Sequence, residues 1–255
     1  MLSPSDQVML PRFYHTDNIY VGQTLELNLA AGHHASRVLR LKMGDPVIVF
    51  NGRGGEFQAH ITSIRKTSTT LIVDQFDDIE RESPLIITLV QALCANDKMD
   101  WIIQKSVELG VTRIQPIITT RSIVRLSEER AAKRLEHWQK IIISACEQCG
   151  RNRIPIIMLP HSLIDWLSAK KSDTQQHLDF MLSVNGGHCL RNFTTPPINT
   201  ELTIAIGPEG GWTADEEIIL QQAGFTTLRA GQRIMRTETA ALATIAALQT
   251  YWGDF

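Results

Sequence analysis

The sequence predicts an α/β protein in two parts: a small β-barrel, then a larger domain built on a mostly parallel sheet. Up to Phe76, apolar residues recur with period two in short runs broken by glycine turns, the pattern of short barrel strands. From Leu85 onward, continuous apolar runs alternate with segments apolar at helical spacing, which implies a parallel sheet with crossover helices. In the last quarter, two short apolar strands each run into a glycine loop and then a helix. In open α/β sheets such loops, at the carboxyl ends of strands, are where ligands sit.

In the first part, residues 25–29 alternate and residues 35–41 form the single helical pattern. Residues 46–50 are a compact apolar strand, 51–55 a glycine turn, and 56–64 return with period two. Residues 69–76 supply a further strand, and the acidic, proline-ended stretch 77–84 reads as a linker between domains at 1–76 and 85–255. Beyond it, residues 85–93 are apolar throughout, as in a strand buried on both faces. Residues 98–109 place Met99, Ile102, Ile103, Ser106 and Leu109 at helical spacing and stop at Gly110, a C-cap glycine. Residues 114–118, 155–158, 180–184, 202–206 and 225–228 read as strands, and 127–149 as a long helix. The final helix, 239–251, is apolar on nearly every face and must be buried somewhere. Residues 185–200 are expected to be a long mobile loop, and 1–9 a poorly ordered extension.

An apolar fraction of 43%, with 20% charged residues and a net charge of −2, is ordinary for a globular protein. No run approaches the ~18 apolar residues of a membrane helix. The start has neither the basic nor the apolar region of a secretory signal, so a cytoplasmic protein is expected. The acidic balance does not mark an obvious nucleic-acid binder. Residues 121–153, however, carry eight Lys/Arg against four Asp/Glu, a local phosphate footprint. Cys94, Cys146, Cys149 and Cys189 lack the paired spacing of a zinc site. Cys146 and Cys149 share a helix face, adjacent His33 and His34 point apart, and no metal is expected.

The glycine loops are Ile204-Ala-Ile-Gly-Pro-Glu-Gly-Gly211 and Ala230-Gly-Gln-Arg-Ile-Met-Arg-Thr-Glu-Thr-Ala240. Neither matches the phosphate-binding patterns of nucleoside triphosphate or dinucleotide sites. On turn chemistry alone, the first reads equally well as a tight connection. In the second, Arg233, Arg236 and Glu238 crowd a strand-to-helix junction, where charges need partners or a ligand. Thr237 or Thr239 is placed to cap the helix that follows. Taken together, the loops are expected to wall one small-molecule pocket.

This pair of motifs resembles the RsmE family, SPOUT-class methyltransferases that act on N3 of a uridine in 16S ribosomal RNA of the small subunit. The resemblance extends over nearly the whole chain. It includes Gly32-His-His-Ala-Ser-Arg-Val-Leu-Arg-Leu-Lys-Met-Gly-Asp45, Lys98 with Gln104-Lys105 and Glu108-Leu-Gly110, Thr120-Arg-Ser122, and Glu147-Gln-Cys-Gly-Arg151. Cys149 stands where the family usually has Ser, and Ala230 where Leu is common. The resemblance implies a PUA-like RNA-binding barrel followed by a SPOUT α/β domain closed by a deep trefoil knot, and a homodimer packed near the knot. It implies S-adenosylmethionine bent within the knot and held by Leu182, Ile206, Gly207, Pro208, Glu209, Gly210, Gly211, Leu228, Ala230, Gly231, Arg233, Ile234, Met235 and Thr237. RNA contacts are expected from Arg12, Arg37, Arg40, Lys42, Arg53, Arg121, Arg125 and Arg153. Charge alone reads Arg37, Arg40 and Lys42 as a solvated helix face; Arg151 and Arg153, just past the long helix, can fork onto phosphate or a base edge or else neutralise the helix C-terminus.

Methyl transfer from a sulfonium needs mainly alignment. The uracil nucleophile must also lose its N3 proton and have the charge on O2 and O4 stabilised. Arg236 or Arg151 is expected to meet that charge, and Glu238 or Glu209 to take the proton or hold an arginine. Glu238 also reads as a first-turn acid that stabilises a helix. Two other classes stay open: a methyltransferase acting on another RNA target, and a non-catalytic RNA-binding ribosome-assembly factor. The latter has little reason to keep both glycine loops.

Overall fold

The computed structural model describes residues 10–122, 127–170, 177–197 and 200–255, so the expectations for residues 1–9 and for Arg125 lie outside the described residues. The chain packs as two units, Met1–Glu82 with Cys146–Ile154, and Ser83–Ala145 with Pro155–Phe255. The stretch expected as a linker therefore divides after Glu82, and a segment around the end of the long helix folds with the first unit.

The first unit holds a five-stranded sheet of β1 (Arg12–Tyr14), β2 (Thr24–Leu27), β3 (Pro46–Phe50), β4 (Glu56–Ile64) and β5 (Thr69–Asp77), in the order β1-β3-β4-β5-β2. β1 runs parallel to β3 and the other pairings are antiparallel. The period-two residues behave as the alternation requires: Val47, Val49, Phe57, Ala59, Ile61, Leu71 and Val73 form one core with Phe13, Leu25 and Leu27. The helical pattern at 35–41 becomes a short helix α1 (Leu29–His33), capped by Asn28, and then a π-helical turn over His34–Val38. Arg40 closes that turn in the left-handed region, φ 55°, while the Leu41 N–H reaches back to the Ala35 carbonyl.

Buried charge explains which segments join this unit. Glu56, 4% exposed, accepts from Arg12 Nη1 at 2.6 Å, Arg81 Nη1 at 2.7 Å and Asn152 Nδ2 at 3.2 Å. Burial alone would raise its carboxyl; the hydrogen bonds from Arg81 and Arg12 outweigh it and hold the pKa at about 2. Arg81 thus anchors the supposed linker, and Asn152 the segment after the long helix.

The second unit contains a wholly parallel sheet of β6 (Ile86–Ala92), β7 (Arg113–Ile118), β8 (Ile156–Ile157), β9 (His161–Ser162), β10 (His177–Leu182), β11 (Glu201–Ile206) and β12 (Thr226–Leu228). The strand order is β12-β10-β11-β6-β7-β8, with β9 also beside β7. Its helices are α2 (Asn96–Glu108), α3 (Glu128–Cys149, whose end belongs to the first unit), α4 (Leu163–Ala169), α5 (Ala214–Gln222) and α6 (Thr237–Trp252). Both faces of β6 are covered, as its unbroken apolar run requires. Val90 and Ala92 pack with Leu163 of α4, Leu220 of α5 and Trp212. On the opposite face the Gln91 side chain meets Thr237 of α6, which packs in turn on α2 and β11.

Gly110 ends α2 at φ 85°, as expected, and a Cβ there would lie 2.6 Å from Gln249 Nε2. Gln249, fully buried in α6, donates to the Leu109 carbonyl at 2.8 Å and accepts from Ser83 Oγ at 2.7 Å. The burial demanded by the apolar α6 is supplied largely by its own unit, through Ala240, Ala241, Ile245, Leu248 and Trp252. No membrane-length apolar helix and no cluster of metal-ligating side chains occurs among the described residues.

Candidate active site

A cavity of about 760 Å³ opens where β10, β11 and β12 end. Small-molecule pockets span roughly 300–1,000 Å³. Its walls are residues 182–185 after β10, 206–212 after β11 and 229–237 after β12, with Ala240, Lys98, Arg121 and Glu217 completing them. All lie in the second unit. The sheet order reverses here, because β11 inserts between β10 and β6, and such switch points are where open α/β sheets bind ligands. Every residue expected at a cofactor site lines the cavity except Leu228, which is buried at the end of β12.

Three devices hold the loops. Thr237 does not cap α6, and neither does Thr239, because Arg236 occupies the N-cap position and makes no side-chain capping bond. Instead the Thr237 hydroxyl donates to the Gly207 carbonyl at 2.7 Å and accepts from Gln91 Nε2 at 3.0 Å, tying the second loop to the first. Trp212 donates from Nε1 to the Leu182 carbonyl at 2.9 Å, joining the loop after β11 to the end of β10. Arg121, an expected RNA contact, donates from Nη1 to the carbonyls of Gly210 at 2.8 Å and Trp212 at 3.0 Å and so fastens the first glycine loop. Gly211 and Gly231 adopt φ 67° and 86°, and a Cβ on either would meet nothing within 4 Å. Both line the cavity, so they leave a cradle bounded by bare backbone, as expected of a site that reads its ligand through main-chain groups.

Charge is sorted within the site. Lys98 Nζ lies 3.3 Å from Glu209 Oε1 and 3.7 Å from Glu238 Oε2, so both candidate catalytic carboxylates face one ammonium. Glu217 accepts from Ser183 Oγ at 2.6 Å and from Asn185 Nδ2 at 3.3 Å. By contrast, Arg229, Arg233 and Arg236 are exposed at the rim and make no ion pair among the described residues. The site offers a backbone-lined hollow beneath a cationic rim, suited to a compact organic ligand below and a polyanion above.

The remaining expected site residues lie elsewhere. Arg151 is 4% exposed in the first unit, with Nε 3.0 Å from Glu82 Oε1, and it is not part of the cavity wall. Arg12 is 8% exposed, bonded to Glu56 and stacked 5.0 Å from the Phe50 ring, so its charge is engaged within the first unit. Arg37, Arg40 and Lys42 are exposed; Arg53 bonds Asn18, and Arg153 donates to Glu80 at 2.6 Å. Sequence reasoning missed Ser183, Asn185, Trp212, Glu217 and Arg229 in the cavity wall. The rule that ligands gather at strand ends would have pointed to Ser183, Asn185 and Arg229; no local signal marks Glu217.

A family model described as an RNA methyltransferase domain matches residues 81–249, and one described as an RNA methyltransferase PUA domain matches residues 28–74. By fold, site and family match, the second unit is an RNA methyltransferase domain. The Ribosomal RNA small subunit methyltransferase E of Buchnera aphidicola subsp. Acyrthosiphon pisum is 36% identical over 96% of this chain and 95% of its own length. The Bacillus subtilis protein of that name is 34% identical, over 85% and 86%. A Ribosomal RNA small subunit methyltransferase E from Neisseria gonorrhoeae, solved bound to S-adenosyl methionine, superposes with TM-score 0.89 at 42% identity, covering 96% and 99% of the two chains. A Legionella pneumophila protein solved with SAM gives TM-score 0.91 at 38% identity, over 97% and 100%. The chain belongs to the ribosomal RNA small subunit methyltransferase E family.

Proposed function

We propose that this chain methylates N3 of a specific uridine in 16S rRNA of the small ribosomal subunit, using S-adenosylmethionine. The observation that carries the reading is the joining of two glycine loops, through Thr237, around a backbone-lined cavity rimmed by three arginines that make no ion pair among the described residues. The SAM-bound Neisseria and Legionella relatives, matched over nearly their full lengths, support the cofactor. The loops at 206–211 and 230–237 would hold it through main-chain groups, with Ile206, Met235 and Ala240 as apolar wall. When bound, it supplies a methyl group on a sulfonium already activated for displacement.

The chain's own task is to orient the acceptor base, shed water and meet charge. Arg236 is the cation for the negative charge that develops on uracil O2 and O4 as the N3 proton leaves. Glu209 and Glu238 both face Lys98, which favours a holding role for them over proton removal. Arg229 and Arg233 extend the rim for the RNA backbone, and the exposed Arg37, Arg40 and Lys42 serve a PUA-like first domain. The same reading assigns the second unit a SPOUT-type trefoil knot, makes the protein a homodimer and places it in the cytoplasm.

Calorimetric titration with S-adenosylmethionine, repeated for Arg236→Ala, tests the reading. The variant should bind the cofactor within about twofold of the parent yet methylate about 10²–10³-fold more slowly. An undiminished rate would give Arg236 a merely structural place.

A further inference from the structure

We propose that Lys98 is a positioning residue for methyl transfer, its ammonium clamping the loop after β11 to the first turn of α6 by sharing itself between Glu209 and Glu238. The inference rests on the reading above that this cavity holds the cofactor.

Lys98 sits in the first turn of α2, where the helix dipole disfavours a cation. Local helix energetics therefore do not explain it. Its side chain, 28% exposed, lines the cavity with Nζ 3.3 Å from Glu209 Oε1 and 3.7 Å from Glu238 Oε2. Glu209 stands on the glycine loop and also accepts from the Ala95 N–H at 3.4 Å, at the N-cap of α2. Glu238, 14% exposed in its side chain, has an Oε2 that makes no hydrogen bond among the described residues, so its compensation is the Lys98 charge. The titratable groups around the ammonium are Glu209 from the loop, Glu238 from α6 and Cys94, two residues past β6. Burial, with Glu209 adding to it, pushes the Cys94 thiol up to about 12 and keeps it neutral.

The arrangement does two things. It draws α2, the first glycine loop and α6 to a single point on one side of the cavity. It also offsets part of the charge of two carboxylates that would otherwise compete with substrate for the cation of Arg236, two residues before Glu238 in the chain.

The test compares Lys98→Met and Lys98→Arg with the parent in melting temperature, cofactor affinity by calorimetry, kcat and KM for RNA. Lys98→Met should lower kcat by about 10–100-fold, the scale of a displaced reacting geometry, with a smaller effect on KM. Lys98→Arg should restore most of the lost rate. An unchanged kcat in Lys98→Met overturns the proposal. So does an equal loss in both variants with a lowered melting temperature, which would make Lys98 a packing element. A parent protein that fails to bind S-adenosylmethionine overturns the cofactor reading itself, an outcome distinct from either of these.

Discussion

Replacing Thr237 by valine isolates the bond that ties the two glycine loops together. The hydroxyl donates to the Gly207 carbonyl at 2.7 Å and accepts from Gln91 Nε2 at 3.0 Å, with Thr237 5% exposed and Gln91 fully buried. Valine keeps the side-chain shape, so no cavity is created and the loss is polar. Gln91 Nε2 retains the Ala92 carbonyl at 3.0 Å, so the Gly207 carbonyl is the group that loses its donor. Loss of the donor at this part-buried acceptor costs about 1–2 kcal/mol, the lower part of the range for a fully buried one. At about 2–4 °C per kcal/mol for a unit of this size, the second unit should melt roughly 2–8 °C lower. Thr237→Ser keeps the hydroxyl and should lose about half as much or less. Because the freed carbonyl belongs to the cavity wall, calorimetry should also show weaker S-adenosylmethionine binding in the valine variant than in the serine variant. A valine variant that melts and binds like the parent would refute the idea that this hydroxyl joins the loops.

Removing the fastening of the first loop by Arg121→Met should raise the cofactor dissociation constant by about tenfold, the low end for charge-assisted bonds at a partly exposed site, measured by the same titration. Gly231→Val places a branched side chain at φ 86° on the cavity wall. It should cost about 1–2 kcal/mol of stability and abolish cofactor binding, read by thermal melting with and without ligand. The folded pKa of Glu56, about 2, lies below its ordinary 4.5. Its stabilisation is therefore complete above pH 4.5 and lost as pH falls from there toward 2. That loss is on the order of 2–3 kcal/mol, and acid titration by circular dichroism should show it in the first unit, with the pH dependence flattened in Glu56→Gln.

What was legible in the sequence was whatever burial writes locally. The alternation in β4 and β5 and the unbroken run of β6 report one-sided and two-sided burial directly. The glycine loops read as cavity walls because their conformational demand is met by residues adjacent in sequence. The destinations of charged side chains were not legible, because they depend on partners distant in the chain. Arg151 finds Glu82, Arg12 finds Glu56, and Lys98 finds Glu209 across 111 positions of chain. Each arginine looked equally available for RNA until burial distinguished them. Thr237 was read as a cap because Ser and Thr before helices usually cap, and tertiary geometry gave its hydroxyl a carbonyl from another loop. α4 went unnoticed although Ser162 and Asp165 carry a capping signature, because it is only seven residues long.

The most direct test of the central claim is methyl transfer from labelled S-adenosylmethionine to small ribosomal subunits that lack the modification, with the product nucleoside identified by mass spectrometry. Label should appear in N3-methyluridine at a single position of 16S rRNA. Label in any other nucleoside, or cofactor binding without transfer to these subunits, would contradict it.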